Sequence, residues 1–196
     1  MRAPTRSAIG SSRTPSFIAF GSPPASMTVE ALFLKFSSEK LKQFEERIEA
    51  CLEKLSDEQV WARGHENENA IGNLALHLAG NVGQWILGPM GGVSISRDRD
   101  GEFAARGGST GRILAERLRA IVDQATTIIA GLNTEQLTRT YTIQNYSVTG
   151  VDAVYHVVEH FAQHTAQIIF ATKMLTEQDL AFYKHLSGGT HSEKLP

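Results

Sequence analysis

Three histidines recur four positions apart in the stretch HVVEHFAQHTAQ, as His156, His160 and His164. Residues four apart on a helix stand one turn apart on the same face, so two imidazoles at that spacing can converge on one ion. Val154, Val157, Val158, Phe161, Thr165 and Ile168 define a core-facing arc on the same helix. At ~100° per residue, His164 falls roughly 70° from the centre of that arc, His160 about 110° and His156 about 150°. His160 and His164 therefore flank the core, and His156 is expected to point most nearly outward. The pair is not an HExxH metalloprotease motif, because Glu159 precedes His160 and no glutamate follows it within the pair.

Two ligands do not make a firm site, and NAIGNLALHLAGNVGQWIL supplies a third candidate. His77 sits on the edge of an apolar arc of Ile71, Leu74, Leu78, Val82 and Trp85, with Asn73, Asn81 and Gln84 on the same side. If the two histidine-bearing borders face each other, His77, His160 and His164 form a cluster. Three neutral imidazoles suit Zn²⁺, Ni²⁺ or Fe²⁺ and leave coordination positions open for water or substrate. Spacing alone also allows the plainer reading, histidines hydrogen-bonded along helix borders.

The elements that must position these residues read as helices. Apolar positions recur at helical spacing from Thr28 to about Leu55, and again from Asn69, an expected N-cap, to Leu87, where GPMGG stops the pattern. SISRDRDGEFAARGG is expected to be a charged, glycine-punctuated loop. A third helix starts at Ser109 or Thr110 and ends near Gly131. LTRTYTIQNYSVTG alternates in the manner of a short hairpin or extended connection. Thr149, with Asp152 three residues on, opens a fourth helix to about Leu175. TEQDLAFYKHL could add a short terminal helix. The expectation is an all-α four-helix bundle over residues 28–186, with a long loop or short hairpin before the last core helix and a frayed tail over 187–196. Residues 1–27 are expected to be a disordered leader, or an over-extended start with Met27 as the first residue.

Composition narrows the function classes. A net charge of −2 with no basic, aromatic-interleaved cluster argues against nucleic acid as a partner. No apolar run approaches the ~20 residues needed to span a bilayer. The lone Cys51 can form no internal disulfide, and a reducing, cytoplasmic location suits it. Trp61 and Trp85 read as core anchors, and HENEN, residues 65–69, as a loop despite its metal-binding composition.

One histidine in the second helix and HFAQHTAQI in the fourth resemble the DinB-like (YfiT-like) superfamily of four-helix-bundle metalloenzymes. GNLALHLAGN, RDRDGEF and VVEHFAQHTAQII are further similar to a little-characterised DinB-related subfamily, and the likeness covers residues 28–186. It implies an up-down-down-up bundle, a homodimer, and a divalent ion on His77, His160 and His164, with Gln167 in the position that follows the ligand pair. Relatives include thiol-dependent enzymes, namely bacillithiol transferases and mycothiol-dependent maleylpyruvate isomerases. Many relatives read HRGQ where this chain has His164, Thr165, Ala166 and Gln167, so details of cofactor binding and helix packing need not carry over.

The chemistry implied is a metal-activated thiol or water attacking a small electrophilic substrate. Gln167 could orient a ligand, Arg97 and Arg99 could hold an anionic group, and Glu102 could act as a general base or as a partner behind the ligands. Asn73 and Asn81, each one turn from His77, could support it. The alternative is a non-catalytic, metal-stabilised bundle serving as a stress or interaction protein.

Overall fold

Four long helices carry the core: α1 (Val29–Leu52), α3 (Ile71–Val82), α5 (Gly111–Ala130) and α7 (Gly150–Thr176). They are joined through short helices α2 (Asp57–Val60), α4 (Arg99–Ala104) and α6 (Thr134–Thr138) and a hairpin of β1 (Thr140–Ile143) and β2 (Tyr146–Thr149). This computed structural model describes residues 27–188 and Leu195, so the expected leader and most of the expected tail lie outside the described residues.

Side-chain encounters give the helix directions. Gly111 of α5 lies beside the Leu52 carbonyl and Asp123 bonds Lys42, so α1 and α5 run antiparallel. Trp61, which packs on Gly72 at the start of α3, donates to the Ser109 carbonyl just before α5, and Gly83 meets Ile121. Hence α3 and α5 run parallel. His77 meets His160 while Asn81 meets His156, so α3 and α7 run antiparallel. The order is up-down-down-up, as the resemblance implied. It places α1 and α3 diagonally, with α5 and α7 between them.

Local chemistry explains where α7 begins. Thr149 Oγ1 accepts from the Asp152 N–H at 3.2 Å while the Thr149 N–H donates to Asp152 Oδ2 at 2.8 Å, a reciprocal cap. Val154, Val157, Phe161 and Ile168 are then fully buried, which anchors the face that carries His160 and His164. Burying each such side chain stabilises the fold by roughly 1.5–3 kcal/mol.

Several expectations need correction. Asn69 does not cap the second helix: the N-cap is Ala70, which offers no side-chain acceptor, and its own N–H donates to Asn73 Oδ1 at 3.0 Å. The α-helix ends at Val82 and passes into a π-helical turn, Gly83–Leu87. The charged loop contains α4, capped by Asp98 through the Gly101 N–H. Within the apolar pattern expected from Thr28 to Leu55, Phe36 is exposed, and Leu34 with Ser37 takes the inward positions. No helix forms over residues 177–183. Glu177 ends α7 with a left-handed φ of 54°, Leu180 is buried, and Phe182 lies under the Arg47 guanidinium; only a 3₁₀ turn, Lys184–Ser187, follows. Side-chain anchoring across α1 holds that stretch without helical hydrogen bonds.

Candidate metal centre

His77 projects from the middle of α3, and His160 and His164 from consecutive turns of α7. One nitrogen from each ring lies within 4.8 Å of the others. His77 Nε2 and His160 Nε2 are 2.9 Å apart, and the His164 ring is edge-on to both. A hydrogen bond can use the lone pair of only one of these two nitrogens, whereas a shared cation uses both. The group can hold a metal ion.

Two of the rings are also held from behind. His77 Nδ1 lies 3.1 Å from Glu102 Oε2, and His164 Nδ1 lies 2.6 Å from Gln167 Oε1. Burial raises the Glu102 pKa, but hydrogen bonds from Arg97 and His77 outweigh it and hold the carboxyl below its ordinary value. An ionised carboxylate can only accept, so the Nδ1 proton belongs on His77 and its Nε2 lone pair faces the cluster. Arg97 Nη2 also approaches His77 Nδ1 at 3.0 Å, but both are donors in that tautomer, so the bond to the carboxylate is the one that forms. A carboxylate behind a ligating imidazole fixes its tautomer and raises its basicity.

Glu102 is itself fixed. Arg97 grips it with two parallel bonds, Nε to Oε1 and Nη2 to Oε2, each 2.8 Å. Arg97 Nη1 donates to Gln84 Oε1, which also accepts from Gln144 Nε2, and Gln144 Oε1 accepts from Trp85 Nε1 at 3.3 Å. A polar chain therefore runs from the hairpin turn to the back of His77. Asn73 fastens the other end, its Nδ2 donating to the Glu102 and Ala105 carbonyls at 2.8 and 3.0 Å. Arg63 bonds both Asn73 Oδ1 and the Ala105 carbonyl. Phe103, from the same strap of residues 94–105, covers the His77 ring with 4.6 Å between centroids.

These contacts place the sequence candidates. His77, His160, His164, Gln167 and Glu102 come together. Arg97 is buried and committed to Glu102 and Gln84, leaving no free fork for a substrate anion. Arg99 stands apart on the exposed strap, over the Phe103 ring. Glu102 stands behind His77 as a partner; a carboxylate gripped by arginine is a weak base. Among HENEN, Glu68 accepts from the Gly64 N–H at 2.6 Å and closes a turn. Trp85 is buried and Trp61 partly so, as anchors.

His156 is the clear correction. It does not point outward: its ring lies 3.9 Å from that of Trp85, and Nε2 lies 3.3 Å from Asn81 Nδ2. The angular estimate considered only the core arc of α7, whereas α3 and its π turn cover that flank. Sequence reasoning also missed Gln144 and Gly80. Gln144 and Asn145 carry positive φ of 50° and 66°, the two central residues of a tight hairpin turn without glycine. A Cβ on Gly80 would overlap Glu102 Oε1, so only glycine lets the carboxylate lie against α3. The glycine in HLAGN, one turn beyond the histidine, was the available signal.

Burial lowers the pKa of each α7 histidine. For His160, burial and then the neighbours His164, His77, His156 and Arg97 push it down to about 3. His164 is lowered by burial and by His77 against the opposing Gln167 bond. His156 is lowered by burial against Glu159. Neutral rings are the form that binds metal.

The fold and this histidine group define a DinB-like helical bundle with a possible metal site. A family model described as "Protein of unknown function (DUF1572)" matches residues 28–188, and the chain belongs to that DinB-like family. Among solved structures it is similar to a conserved protein from Enterococcus faecalis, at 16% identity and TM-score 0.61, covering 78% of this chain and 100% of that one. It is also similar to a DinB-like protein from Bacillus cereus, at 13% identity and TM-score 0.57, covering 73% of this chain and 90% of that one. These likenesses concern the fold. No curated protein matches the chain significantly. No helix among the described residues is long and apolar enough to cross a membrane.

Proposed function

We propose that this chain is a divalent-metal-dependent enzyme in which His77, His160 and His164 hold zinc, nickel or iron(II) beside a small electrophilic substrate. The observation that carries this reading is the convergence of three imidazoles with His77 backed by an arginine-gripped carboxylate. When bound, the ion would lower the pKa of a thiol or water and so supply a nucleophile at neutral pH. The chain's own contribution is orientation. Glu102 keeps the His77 proton on Nδ1, Gln167 does the same for His164, and Phe103 shields one side of the ring. With Glu102 committed to Arg97, it is not free to act as a base, and the proton of a bound thiol or water would pass to solvent.

A low-molecular-weight thiol is preferred over water on the resemblance to thiol-dependent DinB-like enzymes. A homodimer acting in the cytoplasm follows from the same resemblance and from the lone cysteine. One observation favours the non-catalytic reading: Arg97, Glu102 and Gln167 are each already committed to partners within the bundle. Elemental analysis of untagged protein and of the three His→Ala variants tests the site. Thiol-dependent consumption of 1-chloro-2,4-dinitrobenzene, abolished by His160→Ala, supports the enzyme. Tight metal binding without turnover across a panel of thiols and electrophiles supports the structural bundle.

A further inference from the structure

Along the α3–α7 seam the three imidazoles divide two unlike ends. Toward the hairpin, Asn81, His156 and Trp85 pack against one another and fill the space. Toward the C-terminus of α7, the seam opens into a cleft of about 650 Å³. Ile71 and Leu74 of α3 and Gln167, Phe170, Ala171 and Met174 of α7 line it. Phe170 and Met174 are 69% and 68% exposed, a large apolar surface left open beside a buried polar centre. Gln167 belongs to both places: it lines the cleft, and its Oε1 holds His164 Nδ1 at 2.6 Å.

Resting on the metal-centre reading above, we infer that this cleft receives the apolar body, alkyl or aryl, of the small electrophilic substrate, and that Gln167 marks where its reactive group passes to the histidines. The volume is that of a small-molecule site, and mostly apolar walls with a few polar groups, here Gln167 toward the histidines and Arg63, Glu68 and Asn69 elsewhere on the lining, are how such sites orient ligands. The charged groups at the far wall do not call for an ionic ligand. Both Arg63 Nη atoms bond the chain itself, and the Glu68 carboxylate closes its own turn. Van der Waals contact and removal of apolar surface from water are therefore the recognition terms, and both grow with the size of the body.

The test uses n-alkyl hydroxamates, whose head group chelates metal and whose tail varies, on zinc-loaded protein. Affinity should rise by about fourfold for each methylene buried between butano- and octanohydroxamate. The double variant Phe170→Ser/Met174→Ser, at exposed positions that folding does not need, should flatten that series to under about twofold per methylene and leave acetohydroxamate binding unchanged. In parallel, n-octanol on the His160→Ala protein should perturb NMR signals of Phe170, Ala171 and Met174. If hydroxamates do not bind but octanol perturbs the cleft, the metal reading fails and the cleft stands. A series flat in tail length, with no perturbation at the cleft, overturns the inference. So does a double variant that turns a dimer into a monomer while tail dependence persists, because those residues then serve a subunit contact.

Discussion

Two helix seams bury ionisable groups in this bundle, and they do so in opposite ways. At the α1–α5 seam Glu45 is 1% exposed, but cations reach it. Lys42 Nζ lies at 2.9 Å and Arg119 Nε at 3.8 Å, in ion-pair contact without hydrogen-bond alignment. Lys42 continues to Asp123, and Arg119 to Glu49. A hollow of about 660 Å³ beside them is rimmed by such pairs, including Arg112 with Glu116. Charge there closes within the chain. At the α3–α7 seam three imidazoles face each other; His77 and His164 disfavour charge on His160, and His77 disfavours it on His164. The Arg97–Glu102 pair stands behind His77, away from the nitrogens that converge. The first seam supplies its own counter-charges; the second gathers lone pairs that a cation from outside could share.

That contrast can be broken most forcefully at His160. Metal at a thousandfold over its dissociation constant should stabilise the native protein by about 4 kcal/mol. The gain, read from denaturant midpoints with and without metal, should vanish in His160→Ala. Acid should act at the same seam. The folded His160 pKa is near 3 against an ordinary 6.5, so the unfolded chain takes up protons first. Stability from the neutral ring is therefore complete above the unfolded value and is lost as pH falls through the window from 6.5 toward 3. The metal-free midpoint should fall across that window, and bound metal should be released within it as protons compete. A metal content indifferent to acid would count against imidazole ligation.

Smaller effects sharpen the comparison. Glu102→Gln keeps all three ligands but loses the charge behind His77, and should weaken metal affinity by about 10–100-fold in a chelator competition. Gly80→Ala should act in the same direction by forcing the carboxylate off α3. At the other seam, Lys42→Met leaves the buried Glu45 with only the more distant Arg119 and should cost about 2 kcal/mol in urea unfolding. Its metal affinity should not change. Thr149→Ala removes the cap of the helix that carries two ligands without touching either, and should cost about 1 kcal/mol with metal content intact. A loss of metal in Lys42→Met would mean the seams are not independent, and one in Thr149→Ala that the start of α7 sets the spacing of the histidines.

What could be read from residue order was whatever depends on neighbours within one or two turns. The four core helices, the Thr149–Asp152 cap, the one-turn spacing of His160 and His164, and the border position of His77 all follow from backbone periodicity and short side-chain reach. The hairpin was legible as an alternation. The strap of residues 94–105 was legible only through Glu102, read as a partner behind the ligands; its path onto His77 was not, because it depends on a gap at Gly80 and on Asn73, which lie outside its own stretch of chain. His156 was misplaced for the same reason: its burial comes from Trp85 and Asn81, on another helix. That His77 and His160, 83 positions apart, share one centre was decided by how α3 crosses α7, and the crossing is a property of two packed surfaces that neither helix encodes alone.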